Sequence, residues 1–389
     1  METNISFRGK IVEEDAVREG YLRIEGDRIA GIESVRPKGR CIETGDCYIV
    51  PGFIDLHIHG LHRYLIDNGR DDLAAICRLL PQYGVTGFLP TLTPRPEGED
   101  CEFLDGLSKS HCEGARILGF HMEGPFLKIS GALAPGALSG ADAERVEALI
   151  KAARPYPLIF SISPDVEGIE RLLPVMSARN TPVFITHTAA GVAQTQRAIE
   201  LGARHATHFY DVFPCPPVTE PGVRPCGAVE AILADRRVSV DFILDGVHVD
   251  PVAVKMALAC KSEGPGCVCL ITDANTGAGL EPGRFTFGNS GEIYFTAKGS
   301  PPRLAKDHTL AGSGLTMDRA FRNAMRWLDT DIVRTAGLTG TNPATVIGIS
   351  HRKGKLKAGY DADFVLLDPA YHVLQTWIGG ECLFKKDSP

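Results

Sequence analysis

No apolar run in the chain approaches the ~20 residues that a helix needs to cross a bilayer. There is no block of lysine or arginine: 41 basic against 48 acidic residues leave a net charge of −7. Nothing therefore offers the cationic face that nucleic acid requires. The first residues, Met1 to Lys10, lack the long apolar core of a secretory signal, so a soluble cytoplasmic protein is expected. Eleven cysteines are present, an odd number, and none form a CxxC pair. A disulfide framework is disfavoured, and reduced, mostly buried thiols are expected.

What is present is globular. The 389 residues are 44% hydrophobic and 23% charged, which excludes disorder, collagen and coiled coil. Tyr21 to Ile32 alternates apolar and polar about Glu25-Gly26-Asp27, a hairpin signal, and Ala362–Asp368 and Val373–Gly379 read as strands separated by Pro369. Both chain ends thus predict one small β-domain, residues 1–50 with 350–389. Between them, apolar runs of strand length begin near Phe53, Thr86, Ile117, Leu158, Val183, Ala206, Val238 and Val268. Their mean step is about 31 residues, the length of a strand with its crossover helix. Asp71–Leu80 and Val192–Leu201 carry helical periodicity. Eight nearly all-apolar strands alternating with helices predict a (β/α)8 barrel over residues 51–349. An open doubly wound sheet is the alternative, but no Gly-rich phosphate loop follows the first strand.

The polar residues at the strand ends carry the chemistry. Strand one closes on His57-Ile-His59, strand three on His121-Met-Glu123, strand five on His187 and strand six on His208. Strand seven is followed by Asp245-Gly-Val-His248, and strand eight ends at Asp273. All barrel strands open on one mouth, and residues i and i+2 of a strand share a side, so His57 and His59 can reach one ion. Imidazoles and carboxylates suit Zn²⁺, Fe²⁺ or Mn²⁺. A lone strand-end histidine is more often an ordinary hydrogen-bonded residue, the expectation for His62, His111, His205, His308, His351 and His372. Seven such groups gathered at one mouth with nothing to bind would carry a large desolvation cost. Asp55 shares the His57 face but lies deeper, where a structural role is expected.

Pro51-Gly-Phe-Ile-Asp-Leu-His-Ile-His-Gly60 resembles the opening motif of the metal-dependent amidohydrolase superfamily, and Gly354 to Phe364 looks like its return strand. Within it, His121-Met-Glu-Gly-Pro-Phe126, Thr186-His-Thr188, Asp245-Gly-Val-His-Val249, Leu310-Ala-Gly-Ser313 and Thr341-Asn-Pro-Ala344 are similar to the N-acetylglucosamine-6-phosphate deacetylase family. The likeness implies a TIM-like barrel with a small β-sandwich domain built from both ends, and a homodimer. It implies that Glu123, His187 and His208 hold the principal metal, zinc by that likeness with Fe²⁺ or Mn²⁺ as alternatives, with His57 and His59 supporting a second ion bridged by Glu123. Asp273 would be the catalytic acid and base, and His248 would contact substrate.

The chain departs from this family where phosphate is held. Thr219 stands before Glu-Pro-Gly222 where an arginine is expected, Asp211-Val212 where an Asn-Ala pair contacts the sugar, and Leu133 where a phosphate-contacting histidine is expected. Neither Thr nor Leu replaces a guanidinium that grips phosphate with two hydrogen bonds. Arg224, Lys128 or Arg63 are the candidate substitutes. Hydrolysis of an N-acetyl amide on an amino sugar is the expected reaction, the 6-phosphate sugar being favoured by overall likeness, with an unphosphorylated N-acyl amine, sugar or amino acid, as the alternative that the loss of the Arg and His favours. A dihydroorotase-type reaction is disfavoured because Leu158–Asp165 has no lysine, a deaminase because Glu123-Gly-Pro125 is not its signature. A non-catalytic binding protein is opposed by the complete ligand set and Asp273.

Overall fold

The computed structural model describes residues 4–262 and 267–386. Eight strands run parallel in chain order: β1 (Phe53–Ile58), β2 (Val85–Leu92), β3 (Phe120–Glu123), β4 (Leu158–Ile162), β5 (Val183–Ile185), β6 (Ala203–Ala206), β7 (Ser239–Ile243) and β8 (Val268–Ile271). Nearly every strand residue is buried, because helices cover the outside while side chains fill the inside. The ring closes where Ile58 bridges Ala274: the Asp273 N–H donates to the His57 carbonyl and the His59 N–H to the Ala274 carbonyl, both at 2.9 Å. Outside stand α1 (Arg70–Leu79), α2 (Asp100–Ser108), α3 (Ala143–Ala152), the short α4 (Leu173–Met176), α5 (Val192–Glu200), α6 (Ala228–Ala234), α7 (Pro251–Cys260) and α8 (Met317–Trp327).

Several strands differ from their expected spans, β5 ending at Ile185 and β8 at Ile271, two residues before the His187 and Asp273 expected to close them. Arg116–Ile117 forms its own short pairing with β2, and the pairing is interrupted at Leu118-Gly119 before β3 begins and pairs with both β2 and β4. A side chain at Gly119 would lie 3.1 Å from Pro157, a tight contact that glycine avoids. The sixth strand ends at Ala206 rather than His208, because His208 turns into the left-handed region at φ 33°. The thiols also correct an expectation. All eleven are free, but only Cys77 and Cys269 are buried, and Cys215, Cys226, Cys260 and Cys382 are exposed. Most of the others lie on loops and outer helix faces, where alternation of strand residues does not operate.

Both chain ends build one seven-stranded mixed sheet, in the order Glu381–Lys385, Val373–Ile378, Phe364–Leu367, Arg40–Pro51, Asn4–Val12, Val17–Glu25, Arg28–Glu33. Phe7 and Trp377 lie three strands apart, roughly 14 Å in a flat sheet. Their ring centroids are nonetheless 4.8 Å apart, so the sheet rolls over and packs on itself in sandwich fashion. Phe364 joins them, stacked on Trp377 at 5.7 Å and fully buried. Phe364→Ala should therefore lower the unfolding free energy by about 3–5 kcal/mol, read by denaturant titration. A loss under ~1 kcal/mol would mean that this core does not hold the sheet together.

After β8 comes an insertion that the sequence pattern did not reveal. Arg284–Phe287, Gly291–Tyr294 and Arg303–Leu304 form a small antiparallel sheet. Phe287, Ile293 and Leu304 pack with Leu65, Leu127 and Leu133 into a separate apolar cluster beside the barrel mouth.

Candidate active site

The strand ends deliver one compact cluster. Glu123 lies at its centre and its two oxygens face different ways. Oε1 is 3.2 Å from His187 Nε2 and 3.0 Å from His208 Nε2. Oε2 is 3.1 Å from His59 Nε2 and 3.7 Å from His57 Nε2. Asp273 Oδ1 completes the second side, 3.5 Å from His57 Nε2 and 3.4 Å from His59 Nε2. Two groups of ligand atoms result, His57-His59-Glu123 and Glu123-His187-His208, both fully buried and joined by one carboxylate.

Hydrogen bonding and charge show what the cluster suits. Glu123 Oε2 and Asp273 Oδ1 are buried without hydrogen-bond partners, an arrangement that is costly unless a cation meets them. Burial pulls the imidazoles of His59 and His208 down, but the adjoining Glu123 carboxylate outweighs it. His59 is lifted to about 9 and His208 to about 10. Burial also works against the Glu123 carboxylate, yet the surrounding histidines hold it far below the usual range. A pocket that draws protons this strongly lacks positive charge, and a divalent cation supplies it in their place. Imidazole and carboxylate donors, with no thiolate among them, fit such an ion.

The surrounding chain fixes the donor atoms. His187 Nδ1 donates to the Ile129 carbonyl at 2.8 Å, which leaves Nε2 as the lone-pair nitrogen facing Glu123. That carbonyl belongs to the loop after β3, which comes close because residue 131 is glycine. At φ 57°, a side chain there would stand 2.8 Å from the His187 ring. His57 Nδ1 meets Thr207 Oγ1 at 3.1 Å, again freeing Nε2. Asp55 serves as the structural buckle that its depth implied. It accepts from the His57 N–H, the Thr272 N–H and the Thr272 hydroxyl, the last at 2.6 Å, tying β1 to β8.

Three site residues adopt left-handed backbone: His187 (φ 51°), His208 (φ 33°) and Asp273 (φ 47°). Such conformations cost of order 1–3 kcal/mol each and persist where the surroundings enforce them. Each follows a buried threonine: Thr186, Thr207 and Thr272. Their hydroxyls reach across to His208, His57 and Asp55 respectively. The residue just past each strand is thus a threonine anchored to another buried group of the mouth, and the kink turns the next side chain into it. A Thr-His, Thr-His, Thr-Asp pattern at three strand ends was present in the sequence as a signal for this device.

A cavity of about 240 Å³ opens onto the cluster. Leu133, Asp211 and Val212 line it, as do His59, Glu123, His187, His208 and Asp273. Phe287 of the insertion and Leu310 with Gly312 complete its wall, Phe287 having escaped the sequence reading. His248 lies beside the cavity rather than in its lining, its ring almost wholly buried and its Nδ1 on Asp245 Oδ2 at 2.7 Å. Thr219 is exposed on the loop beyond β6. Arg224 is exposed as well, and pairs with Glu230 at 2.9 Å. His205 and His121 are buried structural residues: His205 Nε2 meets Asp241 at 2.7 Å and His121 Nε2 meets Ser161 Oγ at 2.5 Å.

Known proteins share this organisation. The amidohydrolase family model matches residues 304–384. The N-acetylglucosamine-6-phosphate deacetylase of Bacillus subtilis (strain 168) is 30% identical over 387 residues, covering 96% of this chain and 95% of the relative. The N-acetylgalactosamine-6-phosphate deacetylase of Escherichia coli O157:H7 is 29% identical, covering 96% and 97%. Among solved structures, a mutant N-acetyl-D-glucosamine-6-phosphate deacetylase from Mycobacterium smegmatis, in complex with N-acetyl-D-glucosamine-6-phosphate, superposes with TM-score 0.88. It is 26% identical and covers 98% of this chain and 99% of that one. The Thermotoga maritima deacetylase gives TM-score 0.82 at 27% identity, covering 97% and 99%. A likeness in sequence and fold that spans both the barrel and the terminal sheet places the chain in the N-acetylglucosamine-6-phosphate deacetylase family of the amidohydrolases.

Proposed function

We propose that the chain hydrolyses the N-acetyl amide of an amino sugar, giving acetate and a free amine, with a divalent metal held by Glu123, His187 and His208. The observation that carries this reading is the bridging Glu123, with one histidine pair on each oxygen and the unpartnered Asp273 carboxylate beside it. Zinc is the proposed ion, Fe²⁺ and Mn²⁺ being compatible with the same donors, and His57 and His59 give room for a second. A bound ion of this kind supplies Lewis acidity, which brings water towards ionisation near neutral pH.

The residues of the chain then divide the proton work. Asp273 accepts the proton of the attacking water as the new C–O bond forms. It returns that proton to the amine nitrogen as the C–N bond breaks, since an unprotonated amide nitrogen is a poor leaving group. His248 supports the developing negative charge on the amide oxygen. Its Nδ1–H is engaged by Asp245, so Nε2 carries a proton for donation only in the imidazolium form. Family likeness extends the proposal to a cytoplasmic homodimer, and eleven free thiols accord with a reducing compartment.

The test is release of free amine from N-acetylated amino sugars by the zinc-loaded protein, with the metal-depleted protein as control. Stoichiometric metal without turnover on any of them would favour a binding protein instead.

A pH prediction follows from the His248 pair. Burial pulls the imidazole down, but the Asp245 hydrogen bond and charge outweigh it, and His248 stays protonated above its ordinary range. Asp245→Asn removes that support, so the alkaline limb of the kcat/KM profile should move to lower pH. An unmoved limb would take His248 out of the reaction.

A further inference from the structure

We infer that the site prefers a neutral, hydroxyl-bearing N-acetylamine, an amino sugar without its phosphate, and that Asp211 sets this preference. The inference rests on the deacetylase reading above and specifies its substrate. Leu133, Val212, Phe287 and Leu310 give the cavity an apolar wall, and among the described residues of this chain no lysine or arginine lines it. Its charged lining consists of Glu123, Asp273 and Asp211 with the histidines. A metal answers the first two, and Asp211 remains as the lining carboxylate without a direct partner.

The Asp211 carboxylate has no hydrogen-bond or ion-pair partner among the described residues, whereas its backbone is firmly held. The Asp211 N–H donates to the His208 carbonyl at 2.9 Å, and its neighbours Tyr210 (φ 82°) and Val212 (φ 55°) are both left-handed. The turn after β6 therefore fixes an acceptor at the cavity wall. Hydroxyl groups satisfy it by donating.

A phosphate monoester carries about −1.5 to −2 charges at pH 7 and binds through cationic donors. Against this wall it would lose its water without gaining a partner, and Asp211 would repel it. The carboxylate of an N-acetyl amino acid meets the same obstacle. The nearest arginine on the following loop, Arg224, is turned to Glu230 at the surface.

The experiment compares kcat/KM of the metal-loaded protein on N-acetylglucosamine and N-acetylgalactosamine, their 6-phosphates, and N-acetylglutamate. The neutral sugars should exceed both the phosphates and the amino acid by tenfold or more, as like-charge juxtaposition implies. Asp211→Asn should narrow the sugar-to-phosphate ratio about tenfold, chiefly by gain on the phosphates. Wild-type preference for a phosphate, or an unchanged ratio in the variant, overturns the inference and leaves the deacetylase reading standing. Absence of turnover on every substrate, with metal bound, overturns that reading itself.

Discussion

Asp273→Asn should lower kcat by about 10²–10⁴ while the protein keeps its metal, the range expected for loss of a positioned acid–base group. The amide is nearly the size of the carboxylate and preserves the backbone tie of the Asp273 N–H to the His57 carbonyl. It cannot accept the water proton, and so has none to return to the amine. Glu123, His187 and His208 remain intact on the other side of the bridge, so metal content measured by elemental analysis should stay close to the wild-type value. Activity within a fewfold of wild type would remove Asp273 from the chemistry. Metal loss equal to the activity loss would instead make it a ligand.

Glu123→Gln should have the opposite signature, losing metal and turnover together. Glu123 is the only residue shared by both ligand groups, so one substitution weakens both. Disturbing even the outer hydrogen bonds of a metal ligand typically lowers affinity 10–100-fold, and removal of the bridging charge should exceed that. The imidazoles respond too: His59 and His208 hold their protons to about 9 and about 10 because of Glu123, and should release them at lower pH in the variant. Isothermal titration of zinc into the metal-depleted protein reads the affinity, and NMR titration of the histidines reads the proton release. Wild-type zinc affinity in this variant would show that Glu123 does not bridge.

Most of the barrel was legible because period and position carry its physics. Strands buried on both faces must be apolar throughout, and a strand with its crossover helix spans about 31 residues, so the step itself reported the fold. The polar groups at the mouth were legible for a related reason. His57, His59, Glu123, His187, His208 and Asp273 interrupt or end apolar runs, and in a barrel all such ends face one mouth. The depth of Asp55 followed from strand parity, and its contacts with β8 agree.

Other features depend on contacts between residues far apart in the chain. That the Glu123 oxygens divide between two histidine pairs depends on the ends of four strands meeting, and no spacing encodes it. The roofing of the cavity by Phe287 depends on an insertion whose short strands are stable only against Leu65, Leu127 and Leu133. Exposure of the cysteines depended on which helix faces and loops met solvent, not on residue type. The sequence alone determined the barrel, the terminal sheet and the ligand types, because local periodicity and strand-end position specify them. The tertiary structure decided the bridging geometry, the strained threonine-anchored turns and an unpartnered Asp211 at the wall, because these arise only when separate strand ends converge.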